Sequence, residues 1–330
     1  MSEYKGRINV SKDTMLFVVN EVLNQEIKEN TTKENILKMI PKIYKKVDAR
    51  EIIKLLPYGS YKSLESLMNY IKTSDNIKEF FYKEVHQEVR YLEETMIIVM
   101  RANHGKYEYS LNPGVIQNLA KLYSEENRKI AERYGKIENL TKGILYSYGI
   151  VEFNFLKETI CKNMKEIISQ EELEDLYYKR LNLNMMVNYK EIKWTNSNET
   201  ELFATYIDDE WEPIDIVDIA VEQKSRGLKY KKFSEKEILS REEYLWDKST
   251  QNFFNYIKSK NQNIWELKFQ RIVKENEFGK DILRILIEEC NFESEEDIEE
   301  FMQHFMNWYN NSPQYVLGGY SPIEFRKIHN

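Results

Sequence analysis

The chain has 330 residues, of which 11 are glycine and 6 proline, so helix breakers make up about 5% of it against roughly 12% in an average protein. That composition favours long helices and excludes a turn-rich all-β fold, while a hydrophobic content of 42% supports packed cores rather than disorder. The net charge of −7 is unevenly spread, residues 1–200 summing to +2 and residues 201–330 to −9, which places the acidity in the C-terminal part.

In chain order, Leu16, Val19, Val22 and Leu23, then Ile36, Leu37 and Ile40, then Ile52, Ile53, Leu55 and Leu56 recur at helical spacing, predicting packed short helices. Thr31 followed by Glu34 predicts a capping box, the reciprocal bonding of a Ser or Thr and an acid three residues on that opens a helix. The same signature stands at Ser169/Glu172, Ser234/Glu237 and Ser321/Glu324, with Ser294/Asp297 as a near variant. After the turn at Pro57, Tyr58 and Gly59, the run DNIKEFFYKEVHQEVRYLEETMIIVMRA contains neither Gly nor Pro and is expected to form one long helix. A first domain of residues 1–94 follows from this pattern.

Residues 95–210 differ. KYEYSL alternates Tyr107 and Tyr109 with polar residues and predicts a short strand. Helical segments are expected through LTKGILYSYG and VEFNFLKETICKNM, divided by Gly149, and then through the capped SQEELEDLYYKRLNL. Beyond them MMVNYKEIKW and ETELFATYI flank the polar turn Thr195 to Asn198 and predict a β-hairpin, 187–194 against 200–207. Helices followed by a hairpin make a winged-helix order, so the expected fold is mainly α and multi-helical, with a central winged-helix-like module carrying a β-hairpin. The third domain, residues 211–330, returns to helical spacing and holds four tryptophans, Trp211, Trp246, Trp265 and Trp308, expected to fill its core.

Motifs that carry chemistry are scarce. Neither GxGxxG nor GxxxxGK[ST] occurs, which excludes nucleotide binding by those loops. Cys161 and Cys290 lie far apart, and His86, His104, His304 and His329 are scattered singly, without the spacing that places two ligands on one helical face. No catalytic residue, metal site or cofactor is therefore expected. The longest apolar runs, Met15 to Val19 and Met96 to Met100, are five residues each, against roughly 20 for a bilayer span, and MSEYKGRINV lacks a signal-peptide core; a cytoplasmic protein without membrane contact is expected.

A winged helix inserts its third helix into the major groove and lays its wing on phosphates. Here that helix and wing offer Lys179, Arg180, Lys190 and Lys193 as nucleic-acid contacts, against five acids between residues 171 and 193. The expected function is non-enzymatic, regulatory or associated with a mobile element, through weak nucleic-acid or protein contacts of this module; the alternative is a protein-interaction scaffold using the acidic C-terminal domain. Two further basic stretches, Lys42, Lys45, Lys46 and Arg50, and Lys224, Arg226, Lys229, Lys231 and Lys232, are each able to touch phosphate.

Two resemblances add to this. GILYSYGIVEFNFLKETI resembles segments of poorly characterised Firmicutes proteins with helical and winged-helix-like regions, some ending in a SEC-C zinc motif. This tail lacks that motif, so the resemblance implies fold and no metal site. The closing WYNNSPQYVLGGYSPIEFR is similar, at Asn310, Pro313, Leu317, Gly318, Ser321, Pro322, Glu324 and Phe325, to the end of retroviral-type integrases and insertion-sequence transposases. That resemblance implies metal-dependent phosphoryl transfer as a third function, but the Arg-Pro-His core of the pattern is missing and no strand series bearing carboxylates precedes it.

Overall fold

The computed structural model describes residues 7–46, 48–73, 86–103, 106–112, 115, 124–182, 188–193, 200–205, 216–227, 229–239, 248–260, 273, 292 and 294–329. The protein is mainly helical with two small antiparallel sheets, and its contacts divide it into two compact units. One comprises Met1–Glu138 with Ile168–Met186, the other Asn139–Ile167 with Val187–Asn330. Among the described residues no helix is long and apolar enough to cross a membrane.

The first unit opens with strand β1 (Arg7–Ile8) and helix α1 (Lys12–Phe17). Ser11 caps α1, its hydroxyl accepting from the Thr14 amide at 2.9 Å. The helix runs on into a wider turn over Val18–Val22, where the Leu23 amide reaches back five residues to the Val18 carbonyl. Helix α2 (Lys33–Lys46) buries Ile36, Leu37, Ile40, Ile43 and Tyr44. Its cap is Thr32, whose hydroxyl accepts from the Asn35 amide, one residue after the predicted Thr31. The Glu34 carboxylate instead accepts both outer nitrogens of Arg101, at 2.6 and 3.0 Å. Pro41 lies inside α2 and has no N–H to offer the Leu37 carbonyl; the buried Asn112 amide donates there at 3.3 Å, so the orphaned acceptor is satisfied.

Helices α3 (Ala49–Leu55), α4 (Tyr58–Thr73) and α5 (His86–Glu94) follow. The single helix expected across residues 75–102 is corrected here: α5 ends at Glu94, Met96 adopts φ 58°, and Ile98–Asn103 is strand β2. The run Met96 to Met100 is rich in β-branched residues and buried from Met96 to Val99, which suits a sheet covered by helices better than a helix with one wet face. β2 is the middle strand between β1 and β3 (Lys106–Leu111), with Ile98 opposite Leu111 and Asn103 opposite Lys106. The expected strand KYEYSL is therefore present as β3. Ile8, Ile36, Ile40, Ile53, Leu64, Leu92, Ile97 and Val115 belong to one continuous core beneath these elements.

Helix α6 (Glu125–Tyr148) begins in the first unit, with Ser124 accepting from the Asn127 amide, and its residues from Asn139 belong to the second. Gly149 stops it in the left-handed region at φ 72°. Strand β4 (Ile150–Glu152), helix α7 (Phe153–Met164), helix α8 (Gln170–Asn182), and strands β5 (Asn188–Lys193) and β6 (Thr200–Thr205) complete the central region. The predicted hairpin is present, with Asn188 opposite Thr205 and Lys193 opposite Thr200. β4 pairs on the other side of β6, giving the sheet order β4-β6-β5; this three-residue strand falls within a stretch expected to be helical.

The rest of the second unit is α9 (Ile216–Ser225), α10 (Glu235–Leu239), α11 (Lys248–Ser259), α12 (Glu295–Asn311), a 3₁₀ turn at Tyr315–Leu317 and α13 (Pro322–His329). Both halves of the predicted capping boxes form at α10, where Ser234 and Glu237 bond reciprocally, and at α13, where Ser321 and Glu324 do. Trp308 is buried between α11 and α12, stacked on Phe253 at 4.4 Å with its indole N–H donated to Thr250. This is the core role expected of it; Trp211, Trp246 and Trp265 lie outside the described residues.

Candidate functional site

The central elements run α6, β4, α7, α8, β5, β6, and the sheet they form has the order β4-β6-β5. In a winged-helix reading β5–β6 would be the wing and α8 the recognition helix. Its register follows from the cap at Ser169, which accepts from the Glu172 amide at 3.0 Å, and from Leu173, Leu176 and Tyr177, which are buried.

That register decides where the four predicted contact residues stand. Arg180 shares the buried side of α8: only 4% exposed, it faces Glu138 of α6 in an ion pair at 3.5 Å and donates to the Lys54 carbonyl of α3. It presents nothing to a phosphate outside the protein. Lys179 is half-buried and donates to Asp175 one turn earlier at 2.7 Å. The exposed positions of α8 are Gln170, Glu171, Asp175 and Tyr178, so its outward face is acidic and aromatic. Lys193 is exposed at the end of β5, and Lys190 pairs in register with Phe203. Three positions apart, the two fall on opposite faces of the strand. Lys179 and Arg180 belong to one unit, Lys190 and Lys193 to the other.

A second constellation, which the sequence does not reveal as a unit, joins the two segments that carry the resemblances. Tyr148 and Gly149 meet residues 230–233 and the turn 315–319. The Tyr148 hydroxyl donates to the Lys231 carbonyl, and its ring lies 5.4 Å from Phe155, 5.3 Å from Tyr230 and 5.5 Å from Phe233. The Gln223 amide donates to the Tyr315 carbonyl at 2.6 Å, and the Lys231 ammonium holds both Glu324 oxygens at 2.6 and 2.7 Å. Burial pushes the Tyr230 phenol well above its ordinary range, and the Glu152 carboxylate adds to this. Hydrogen bonds from Lys231 and Ser321 outweigh the cost of burial and hold the Glu324 carboxyl below its ordinary value. Its aromatic packing and satisfied polar groups make this a structural lock, with every principal side chain occupied by another.

The third candidate is the carboxylate pair at the end of α5. Glu93 and Glu94 are 4% and 7% exposed, and each leaves one oxygen without a hydrogen bond. Glu94 accepts from Arg90 at 2.9 Å and Glu93 from Asn9 at 3.4 Å. Burial first, then the neighbouring charge of Glu94, pushes the Glu93 carboxyl up to about 7 from 4.5. A carboxyl poised near neutrality suits general acid–base work, but one this enclosed meets no substrate, and its consequence is for stability. The folded protein keeps the Glu93 proton up to about pH 7 whereas the unfolded chain releases it near 4.5. Stability should therefore fall as pH rises from about 4.5 to 7 and level off above, by on the order of 2–3 kcal/mol. Urea midpoints measured from pH 5 to 8 should show this fall in the wild type and a shallower one in Glu93→Gln, where burial still raises the Glu94 carboxyl, with the variant the more stable at pH 8. A wild-type midpoint that holds level or rises over that range would disprove the assignment.

Among the described residues no group of three or more His, Cys, Asp or Glu side chains gathers so as to hold a metal ion. Cys161 is half-buried on α7, His304 stacks on Tyr256 at 3.9 Å, and His104 and Cys290 lie outside the described residues. Comparison with protein-family models, with curated proteins and with solved structures returned no match.

Proposed function

We propose that this chain is a non-enzymatic interaction protein that engages a basic protein partner through the acidic outer face of α12. The observation that carries the reading is that Glu295, Glu296, Glu299 and Glu300 are all exposed on the first turns of that helix. Among the described residues Lys260 opposes them, bonded to Asp297 and Glu300. The Ser294 cap and the helix dipole account for carboxylates in the first turn; Glu299 and Glu300 extend the acidic strip beyond it. The placement of α8 argues in the same direction. A helix that reads duplex DNA needs a basic outward face, and here the outward residues are Glu171 and Asp175 while the arginine is buried.

The test is affinity purification of the tagged full chain from nuclease-treated lysate, comparing wild type with Glu295→Gln/Glu296→Gln/Glu299→Gln. A partner retained after nuclease, released by moderate salt and lost in the triple variant supports the reading; retention by both proteins alike overturns it. A second reading, regulatory or mobile-element DNA contact by the central elements, draws on their winged-helix order and on exposed Lys193. For it to hold, Lys179→Glu with Lys193→Glu must abolish a gel shift seen with the wild type.

A further inference from the structure

The outward face of α2 carries Lys38, Lys42, Lys45 and Lys46, all exposed. At 3.6 residues per turn they fall within about 100° of arc and span about 12 Å of the helix. None of the four ammonium groups makes an ion pair or hydrogen bond among the described residues. The one acid on that side, Glu34, feels Lys38 but has both oxygens taken by Arg101. Like charges at i, i+3 and i, i+4 destabilise a helix, and the pairs Lys38/Lys42, Lys42/Lys45 and Lys42/Lys46 all incur that cost. The helix dipole offsets it for Lys45 and Lys46, in the last turn, and not for Lys38 and Lys42. A polyanion laid along the row would relieve all three pairs.

We infer that this face of α2 binds the phosphate backbone of double-stranded nucleic acid, without reading its sequence. A membrane surface would need apolar side chains beside the lysines, and the apolar side of α2 is spent on the core, leaving only Met39, 40% exposed. Single strands are held by aromatic stacking, and Tyr44, the only aromatic residue of α2, is buried. A duplex carries one phosphate charge per roughly 1.7 Å of axis, so about 12 Å presents enough for every lysine. With a net charge of −7 on the chain, binding is expected to be weak and confined to low salt.

The experiment is fluorescence anisotropy of the full chain with a mixed-sequence 20-base-pair DNA duplex, titrated between 50 and 200 mM NaCl. Four neutralised phosphates give a log–log salt slope of about −3.6, a loss of about 10²-fold across that range. Lys38→Gln/Lys42→Gln/Lys45→Gln/Lys46→Gln should lower affinity at 50 mM NaCl by at least about tenfold and flatten the slope. A comparison variant with other exposed lysines changed, Lys28→Gln/Lys162→Gln/Lys248→Gln, should bind as the wild type does. Circular dichroism checks the fold, and Lys42→Gln/Lys46→Gln, which removes fewer groups, should lose about half the slope. No binding at 50 mM NaCl, equal losses in both sets of variants, or binding to phosphatidylserine vesicles in preference to duplex would each overturn the inference.

Discussion

Gly149→Ala should destabilise the protein by about 2–4 kcal/mol, and Gly319→Ala by a similar amount, as chemical denaturation will read directly. Two costs combine. Gly149 and Gly319 hold φ of 72° and 86°, a region that charges any residue with a Cβ about 1 kcal/mol or more. An added Cβ also meets occupied space: at Gly149 it would lie 2.5 Å from the Tyr315 ring, and at Gly319 2.8 Å from the ring of Tyr148 and 3.1 Å from that of Phe233. Those rings cannot move cheaply, because Tyr148 is 1% exposed and bonded to the Lys231 carbonyl; forced overpacking of this kind costs about 1–3 kcal/mol. Gly227 separates the two contributions. It has φ 60° but nothing within 4 Å of an added Cβ, so Gly227→Ala should cost only the backbone share, about 1 kcal/mol. Equal losses in all three variants would mean that the lock between residues 148–149 and 315–319 does not bear on stability.

That lock also shows what one dimension conveys and what it withholds. Each glycine is legible as a helix stop, and the Ser321/Glu324 box is legible as a helix start, because capping is a matter of neighbours three residues apart. That Tyr148 and Gly319 touch, 171 positions apart in the sequence, has no local signature. The β5–β6 hairpin was readable for the same reason as the caps: alternation on both sides of a polar turn is short-range. β2 was hidden because no Gly or Pro marks the end of α5; the break falls at Met96, a residue with no preference for φ 58°, and the buried sheet behind it overrides the helical pattern. β4 was too short to show a period. At the candidate site, the sum of charges along α8 was readable, whereas the outcome for each charge depends on partners in other elements. Glu138 for Arg180, Arg133 and Tyr134 for Glu172, and Arg101 for Glu34 are all supplied from 38 or more residues away.

Arg180→Ala should cost about 3–5 kcal/mol, the expense of breaking a buried ion pair by removing one of its partners, while Lys179→Ala, one residue earlier, should cost less than about 1 kcal/mol. Arg180 and Glu138 side chains are 5% and 12% exposed, so removing the guanidinium takes a cation away from a carboxylate that water reaches poorly. Lys179 is paired with Asp175 across one helical turn, and the Asp175 side chain is 59% exposed, so water replaces the lost partner at little cost. The double variant Arg180→Met/Glu138→Leu should recover most of the loss, since apolar residues of similar size often substitute for a buried pair without penalty. A double-mutant cycle over the two positions then gives a coupling that a surface contact residue would not show. It also sets the structural role of Arg180 apart from a nucleic-acid role. If Arg180→Ala leaves the denaturation midpoint unchanged yet weakens binding to DNA, the arginine acts as a nucleic-acid ligand and not as the tie of α8. A lowered midpoint, with the recovery seen in the double variant, makes it the residue that ties α8 to α6 within the first unit.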